Sequence, residues 1–123
     1  MGLDQSAYKT RQKITKTDFE IDDTINEELA YWRKHPNLHG MMEKIYREKG
    51  GKSNQFNVVP VELTKEDLVK LGEKIINNKL PKTEGFFFGR DSDEHYFEKD
   101  IEFLEKAKEA IEEGFQVYYT SWW

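Results

Sequence analysis

The histidines at positions 35 and 39 are the residues whose type and spacing most directly suggest chemistry. They lie four residues apart and Glu43 follows one helical turn later, so a helix through them would place three potential metal ligands on one side. His35 precedes Pro36, however, which disfavours helical geometry at position 35, and the sequence indicates no fourth ligand. Structural or solvent-facing histidines are the more common outcome for this spacing, so we predict no metal site and no cofactor.

The same two histidines could act in general acid–base catalysis, because the pKa of an imidazole lies near neutrality. The chain has no cysteine, and no serine stands in a nucleophile-elbow motif. A small hydrolase that depends on His35 or His39 is therefore an alternative function, whereas a protein that is not an enzyme is the preferred prediction.

A second set of residues favours binding of a small anionic ligand. Arg90 comes directly before a predicted helix, where a guanidinium and free backbone N–H groups together suit a phosphate. Trp32 and Trp122 could stack on a base, each contact contributing about 1–3 kcal/mol, although core or dimer packing is the competing interpretation. Asn57 and Ser121 are polar residues on apolar strand faces, which either bond internally or line a cavity. The predicted ligand-binding residues are Trp32, Arg33, Lys34, His35, Asn57, Arg90, Ser121 and Trp122.

Capping signals and apolar periodicity predict about four helices. Their starts are the capping box at Thr24–Glu27, the turn at Pro36, the Thr64 cap with Asp67 at the third helical position, and the segment Asp91–Ser92. The first helix is predicted to end at Pro36, the second at Gly50 and the fourth at Gly114.

Strands are predicted at 56–63, at 86–88 and at 115–123. Because strands and helices alternate from residue 56 onward, the predicted fold is α/β (or α+β), with a small, partly parallel sheet of three or four strands. Residues 1–23 are predicted to be an extended N-terminal arm that could add an edge strand, and residues 24–123 to be one domain. In a parallel sheet the carboxyl ends of the strands form a binding crevice, which would collect Thr64, 89–92 and 121–123.

Composition limits the class of protein. The chain has 123 residues, of which 37% are hydrophobic and 14% aromatic, so one domain with an aromatic-rich core is expected. The net charge of -5 disfavours a basic protein that coats nucleic acid, and no direct nucleic-acid partner is predicted. The absence of cysteine and of any apolar run as long as a membrane span favours a soluble cytoplasmic protein without a membrane partner.

Charge is distributed unevenly along the chain. The segment 33–52 is mainly basic, whereas the predicted helix 91–113 is mainly acidic. An acidic helix could imitate a row of phosphates, so a protein–protein inhibitor that binds a host factor through residues 91–113 is a further alternative.

Four segments resemble a family of small proteins that is common in tailed bacteriophages and prophages. These segments are Tyr31-Trp32-Arg33-Lys34-His35-Pro36-Asn37-Leu38-His39, Phe56-Asn57-Val58-Val59, Leu80-Pro81-Lys82-Thr83-Glu84-Gly85-Phe86-Phe87-Phe88-Gly89 and Ser121-Trp122-Trp123. The resemblance covers about residues 28–123, and this chain differs in having Met41 where relatives tend to have Trp and in its longer N-terminal arm. The family has no assigned chemistry; the label "phosphoglycerate kinase" on some members would need a two-lobed enzyme, for which this chain is too short.

The resemblance implies a phage accessory protein of the host cytoplasm, which disarms host defence or redirects host metabolism. Together with the anion-binding residues, it leads to the hypothesis of an anti-defence binding protein, a homo-oligomer, that captures a small anionic ligand such as a nucleotide or a nucleotide-derived signal.

Overall fold

A computed structural model of the protein describes residues 2–83 and 93–123. In chain order the elements are β1 (Asp4–Thr10), β2 (Asn26–Arg33), α1 (Pro36–Glu48), β3 (Val61–Leu63), α2 (Lys65–Ile76), α3 (Asp93–Glu112) and β4 (Gln116–Trp122). The strands form one sheet in the order β2-β1-β4-β3, and every neighbouring pair is antiparallel. The described residues therefore form an α+β fold with three helices.

Two details of the predicted fold class are wrong: the four described strands pair only in the antiparallel direction rather than partly in parallel, and the described residues contain three helices rather than about four. The segment predicted as the first helix is strand β2. Leu29 and Trp32 fit a helical spacing, but β2 pairs with β1 along its length, and that long-range partner satisfies its backbone groups. The predicted parallel arrangement of the strands near residues 61 and 117 is wrong because β3 pairs directly with β4 in the antiparallel direction.

The N-terminal residues take a central place in the sheet. Residues 4–10 pair with β2 on one side and with β4 on the other, instead of adding an edge strand. Ile14 and Phe19 pack with Tyr118 in a small second core. Since Tyr118 alternates with the buried helix-side residues Val117 and Tyr119, this second core covers part of the opposite face of the sheet.

Elements with strong local signals form as predicted. Helix α1 begins at Pro36, and α3 ends two residues before Gly114. The capping box of α2 is confirmed, because Asp67 N–H donates to Thr64 Oγ1 at 3.2 Å and Thr64 N–H donates to Asp67 Oδ2 at 2.9 Å. The strand predicted at 86–88 lies outside the described residues, and the strand predicted at 56–63 is confined to Val61–Leu63.

In each of the two edge strands, β2 and β3, a side chain from elsewhere hydrogen-bonds to the main chain. At the β2 edge the Tyr96 hydroxyl accepts from Arg33 N–H at 3.1 Å and donates to the Arg33 carbonyl at 2.6 Å, as a further strand would. At the β3 edge the Lys49 ammonium donates to the Glu62 carbonyl at 2.7 Å. These caps disfavour pairing of another chain with the sheet at these two positions.

Val58 explains why the third strand is short, and it allows a stability test. Its φ of 59° lies in the left-handed region, which is unfavourable for a β-branched residue, and its side chain is 64% exposed. We expect Val58→Asn to raise the free energy of unfolding by about 1 kcal/mol, because Asn tolerates this region. Urea denaturation would measure the change. Val69→Asn, on the exposed side of α2, is the control and should bring no gain; an equal gain in both variants would contradict the explanation.

No helix within the described ranges is long and apolar enough to cross a membrane.

Candidate functional site

Two of the predicted ligand-binding residues, Trp32 and His35, belong to a buried polar cluster. Trp32 Nε1–H donates to Asp100 Oδ1 and His35 Nε2 lies next to Asp100 Oδ2, each at 2.9 Å, and all three side chains are almost fully buried. The Tyr96 ring stacks on His35, and Gln5 accepts from the His35 N–H at 2.8 Å and donates to its carbonyl at 3.0 Å. The cluster therefore joins β1, β2 and α3, and a ligand in solvent does not reach Trp32 or His35 in this conformation.

His39 is also buried, on the inner side of α1. Its Nδ1 lies 2.8 Å from the Tyr119 hydroxyl, and its ring contacts Phe56. Burial lowers the pKa of His39 to about 4, against an opposing hydrogen bond to the Phe56 backbone, while burial raises the pKa of Tyr119. Tyr119 therefore donates to a neutral His39 near neutral pH. The two histidines that suggested acid–base chemistry thus stabilise the core, each with its own polar partner.

Asn57 and Ser121 differ in how their polar groups are satisfied. The Asn57 amide donates to the Trp123 carbonyl at 2.8 Å and accepts from the Trp123 N–H at 2.9 Å, which fixes the end of β4. Ser121 is 5% exposed, and its Oγ has no hydrogen-bond partner among the described residues. Ser121 shares the helix side of the sheet with Tyr119, so neither Asn57 nor Ser121 contributes to an open surface.

Residues near the start of β1 and the ends of β2 and β4 meet at one end of the sheet, on the face away from the helices. We call this surface the open sheet face. Its two cross-strand rows are Arg33–Asp4–Trp122 and Tyr31–Ser6–Thr120. Trp122 is 71% exposed and Tyr31 is 40% exposed, whereas large aromatic residues are normally buried. The open sheet face thus presents two aromatic rings beside a charged pair.

Asp4 lies at the centre of the polar contacts on this face. Its Oδ1 accepts from the Tyr31 hydroxyl and, at 3.0 Å, from Arg33 Nη1. The hydrogen bond from Tyr31 lowers the pKa of the Asp4 carboxyl, and the Arg33 guanidinium acts in the same direction. Asp4 is therefore ionised at neutral pH and holds the Arg33 side chain against the sheet.

Arg33 and Lys34 converge although consecutive strand residues normally point to opposite faces. Lys34 has a φ of 57°, so the strand ends there and the side chain turns back. A Cβ atom added to Gly2 would lie 2.9 Å from Arg33 Nη2 and 3.0 Å from Lys34 Cε, so both basic side chains pass over the same point. With φ at 135°, position 2 also favours glycine. The result is a cationic cluster next to the exposed aromatic rings.

The structure therefore divides the predicted ligand-binding residues. Arg33, Lys34 and Trp122 lie together at one end of the sheet, whereas Trp32, His35 and Ser121 lie on its helix side, Asn57 bonds the chain end, and Arg90 lies outside the described residues. The predicted crevice has no basis in an antiparallel sheet, and Thr64 instead caps α2.

Sequence reasoning missed the contribution of the N-terminal segment. Asp4 and Ser6 alternate with the buried Leu3, Gln5 and Ala7, a period-two pattern that indicates a strand with one open face. Charged and polar neighbours obscured this short signal.

A cavity of about 460 Å³ lies between α2 and α3, and its lining differs in charge from the open sheet face. Ile75 and Leu80 contribute apolar walls, and Asp93, Glu94 and Glu98 contribute carboxylates. An anion would be repelled by this described part of the lining. In the described ranges, no group of three or more His, Asp or Glu side chains could hold a metal ion.

No protein-family model, curated protein or solved structure matches the chain.

Proposed function

We propose that this protein is a phage accessory protein of the host cytoplasm that counters host defence by capturing a small anionic ligand with a planar ring, such as a nucleotide or a nucleotide-derived signal. The observation that carries the proposal is the convergence of Arg33 and Lys34 over Gly2, with Arg33 in the same cross-strand row as the exposed Trp122. A guanidinium and an ammonium attract phosphate, and an exposed indole offers a stacking surface for a base.

The size of the open sheet face favours a small ligand over a protein partner. Three strands about 4.8 Å apart and two side-chain rows about 6.8 Å apart make a platform of roughly 200 Å² in plan. A stable protein–protein interface buries about 800 Å² on each partner. The platform is therefore too small to be the whole of such an interface but large enough for one nucleotide. A homo-oligomer stays a prediction, and it would need another surface of the protein.

Charge also separates this surface from the α2–α3 cavity. Arg33 and Lys34 outnumber Asp4 at the end of the sheet, while the described lining of the cavity contains several carboxylates. An anion is attracted to the first surface and repelled by the second.

Binding rather than catalysis is supported by the location of the histidines. His35 and His39 are buried and bonded within the core. General acid–base catalysis requires a group within hydrogen-bond reach of the substrate, which a ligand on the open sheet face would not provide for either ring.

Trp122→Ala should weaken binding of a mononucleotide by about 5-fold to 150-fold, since base–aromatic stacking contributes about 1–3 kcal/mol. Isothermal titration of the purified protein with GMP and AMP would measure this loss. Phe97→Ala removes another exposed aromatic side chain, on α3, and should leave the affinity unchanged. Unaltered affinity in Trp122→Ala, or no nucleotide binding by the unmodified protein, would overturn the proposal.

The same titration tests the role of the basic pair. Replacing Arg33 and Lys34 together by Ala should weaken nucleotide binding and reduce its dependence on salt, because the attraction between exposed charges is screened by salt. Replacing Lys65 and Lys70 together by Ala removes the same number of charges from exposed positions of α2 and is the control for a simple change in net charge. Equal losses in the control and in the variant of Arg33 and Lys34 would assign the effect to net charge rather than to this surface.

A further inference from the structure

We propose, resting on the function proposed above, that Asp4 makes the open sheet face selective for guanine. Asp4 recognises the edge of the ring that stacks on Trp122.

The register of the sheet places Asp4 beside a ring on Trp122. The two residues are direct cross-strand partners on β1 and β4, and both side chains project from the same face. Side chains of such partners start only about 4.5–5.5 Å apart. A planar ring stacked on the β1 side of the indole therefore has one edge above the Asp4 carboxylate, within reach of a hydrogen bond.

The Asp4 carboxylate has accepting capacity left. An ionised carboxylate offers about four lone-pair sites. Tyr31 and Arg33 both donate to Oδ1, whereas Oδ2 accepts no hydrogen bond from the described residues. The two donors also hold the carboxylate in one orientation. Asp4 can therefore accept two further hydrogen bonds but can donate none.

Guanine matches such an acceptor better than adenine does. Guanine presents two adjacent donors on its Watson–Crick edge, N1–H and the 2-amino group, and both can point at one carboxylate. Adenine presents its 6-amino group next to N1, whose lone pair would face the carboxylate oxygen. The lone pair of adenine N1 is repelled by the Asp4 carboxylate, whereas N1–H of guanine is attracted to it. The site therefore disfavours adenine as well as favouring guanine.

The rest of a nucleotide fits the same row of side chains. Arg33 stands on the other side of Asp4 from Trp122, two strand spacings away, which is about 10 Å. The ribose is attached at N9, across the ring from N1, so the phosphate reaches Arg33 and Lys34 when the nucleotide adopts the folded syn conformation, which brings the 5′-phosphate back towards the 2-amino group. Asp4 thus lies between the stacking surface and the cationic cluster, where it contacts the base edge and not the phosphate.

The experiment is the ratio of GMP to AMP affinity, measured by isothermal titration for the unmodified protein and for Asp4→Asn. We expect GMP to bind about 10-fold more tightly than AMP, in the range for a good bidentate contact to a base, and we expect Asp4→Asn to abolish this preference because an amide presents a donor as well as an acceptor. Asp4→Asn also removes the ion pair between Asp4 and Arg33, but this affects both nucleotides equally and cancels in the ratio. Tyr31→Phe keeps the carboxylate and should keep the preference.

The outcomes separate the two proposals. Equal affinities for GMP and AMP in the unmodified protein, or a preference that survives in Asp4→Asn, would overturn the role of Asp4 and leave the binding function intact. Absence of binding by either nucleotide, or binding that does not depend on Trp122, would instead overturn the proposed function itself.

Discussion

Replacing Asp100 with alanine is expected to lower the free energy of unfolding by about 2–6 kcal/mol, because two buried polar groups lose a hydrogen-bond partner and each such loss costs about 1–3 kcal/mol. Asp100 is 1% exposed and accepts hydrogen bonds from Trp32 and His35, which are themselves fully buried. Without the carboxylate, the Trp32 indole N–H and the His35 Nε2 would each lose their hydrogen bond to Asp100 while staying buried, and each loss carries a desolvation penalty. Urea denaturation at low temperature would measure the change.

Two further variants make this result interpretable. Glu105→Ala changes an exposed acidic residue of the same helix and should alter stability by less than about 0.5 kcal/mol. Asp100→Asn keeps the volume and one acceptor oxygen for Trp32, so we expect a loss between those of the other two variants. A loss below about 1 kcal/mol in Asp100→Ala would show that the cluster does not hold β2 against α3.

The stability of the protein should fall as the pH is lowered from about 6.5 to 4, and His39 should account for on the order of 3 kcal/mol of that fall. Burial lowers the pKa of His39 in the folded protein to about 4, from an ordinary value of 6.5. Between these two pH values the unfolded chain binds a proton at this position and the folded protein does not. The contribution of neutral His39 is therefore complete above the unfolded pKa and is lost as the pH falls towards the folded one.

The pH dependence can be isolated by comparing variants. His39→Gln is expected to be less stable than the unmodified protein at pH 7, because it disturbs the contacts with Tyr119 and Phe56, but the difference should shrink as the pH approaches 4. His95→Gln, which changes an exposed histidine of α3, should follow the curve of the unmodified protein. Parallel curves for His39→Gln and the unmodified protein would mean that His39 titrates alike in the folded and unfolded chain.

Neither effect requires the protein to bind a ligand, which separates the core from the open sheet face. His35, His39 and Asp100 lie on the helix side of the sheet, while Arg33 and Trp122 lie on the other side. Variants of the core should alter stability first, and variants of the open sheet face should alter affinity at nearly unchanged stability. A loss of affinity in a surface variant can therefore be attributed to the lost side chain, because the side chains of the open sheet face make few contacts with the core.

Local signals in the sequence were sufficient for some elements. The Thr64–Asp67 capping box predicted the start of α2, and the alternation of Val117, Tyr118 and Tyr119 predicted the two faces of β4. Such signals act between residues a few positions apart, so tertiary contacts are not needed to detect them. The prediction failed for β2, whose apolar residues fit a helix until its partner β1 is known.

The sequence by itself determined that Arg33, Lys34 and Trp122 were candidates for binding an anion with a ring, because residue type alone carries charge and stacking capacity. Only the tertiary structure decided that Trp122 is exposed while Trp32 is buried against Asp100, and that Asp4 and Gly2 join the cationic residues at one end of the sheet. The physical reason is that burial and proximity come from strand pairing between residues more than a hundred positions apart, as between β1 and β4, and no local pattern encodes such a contact.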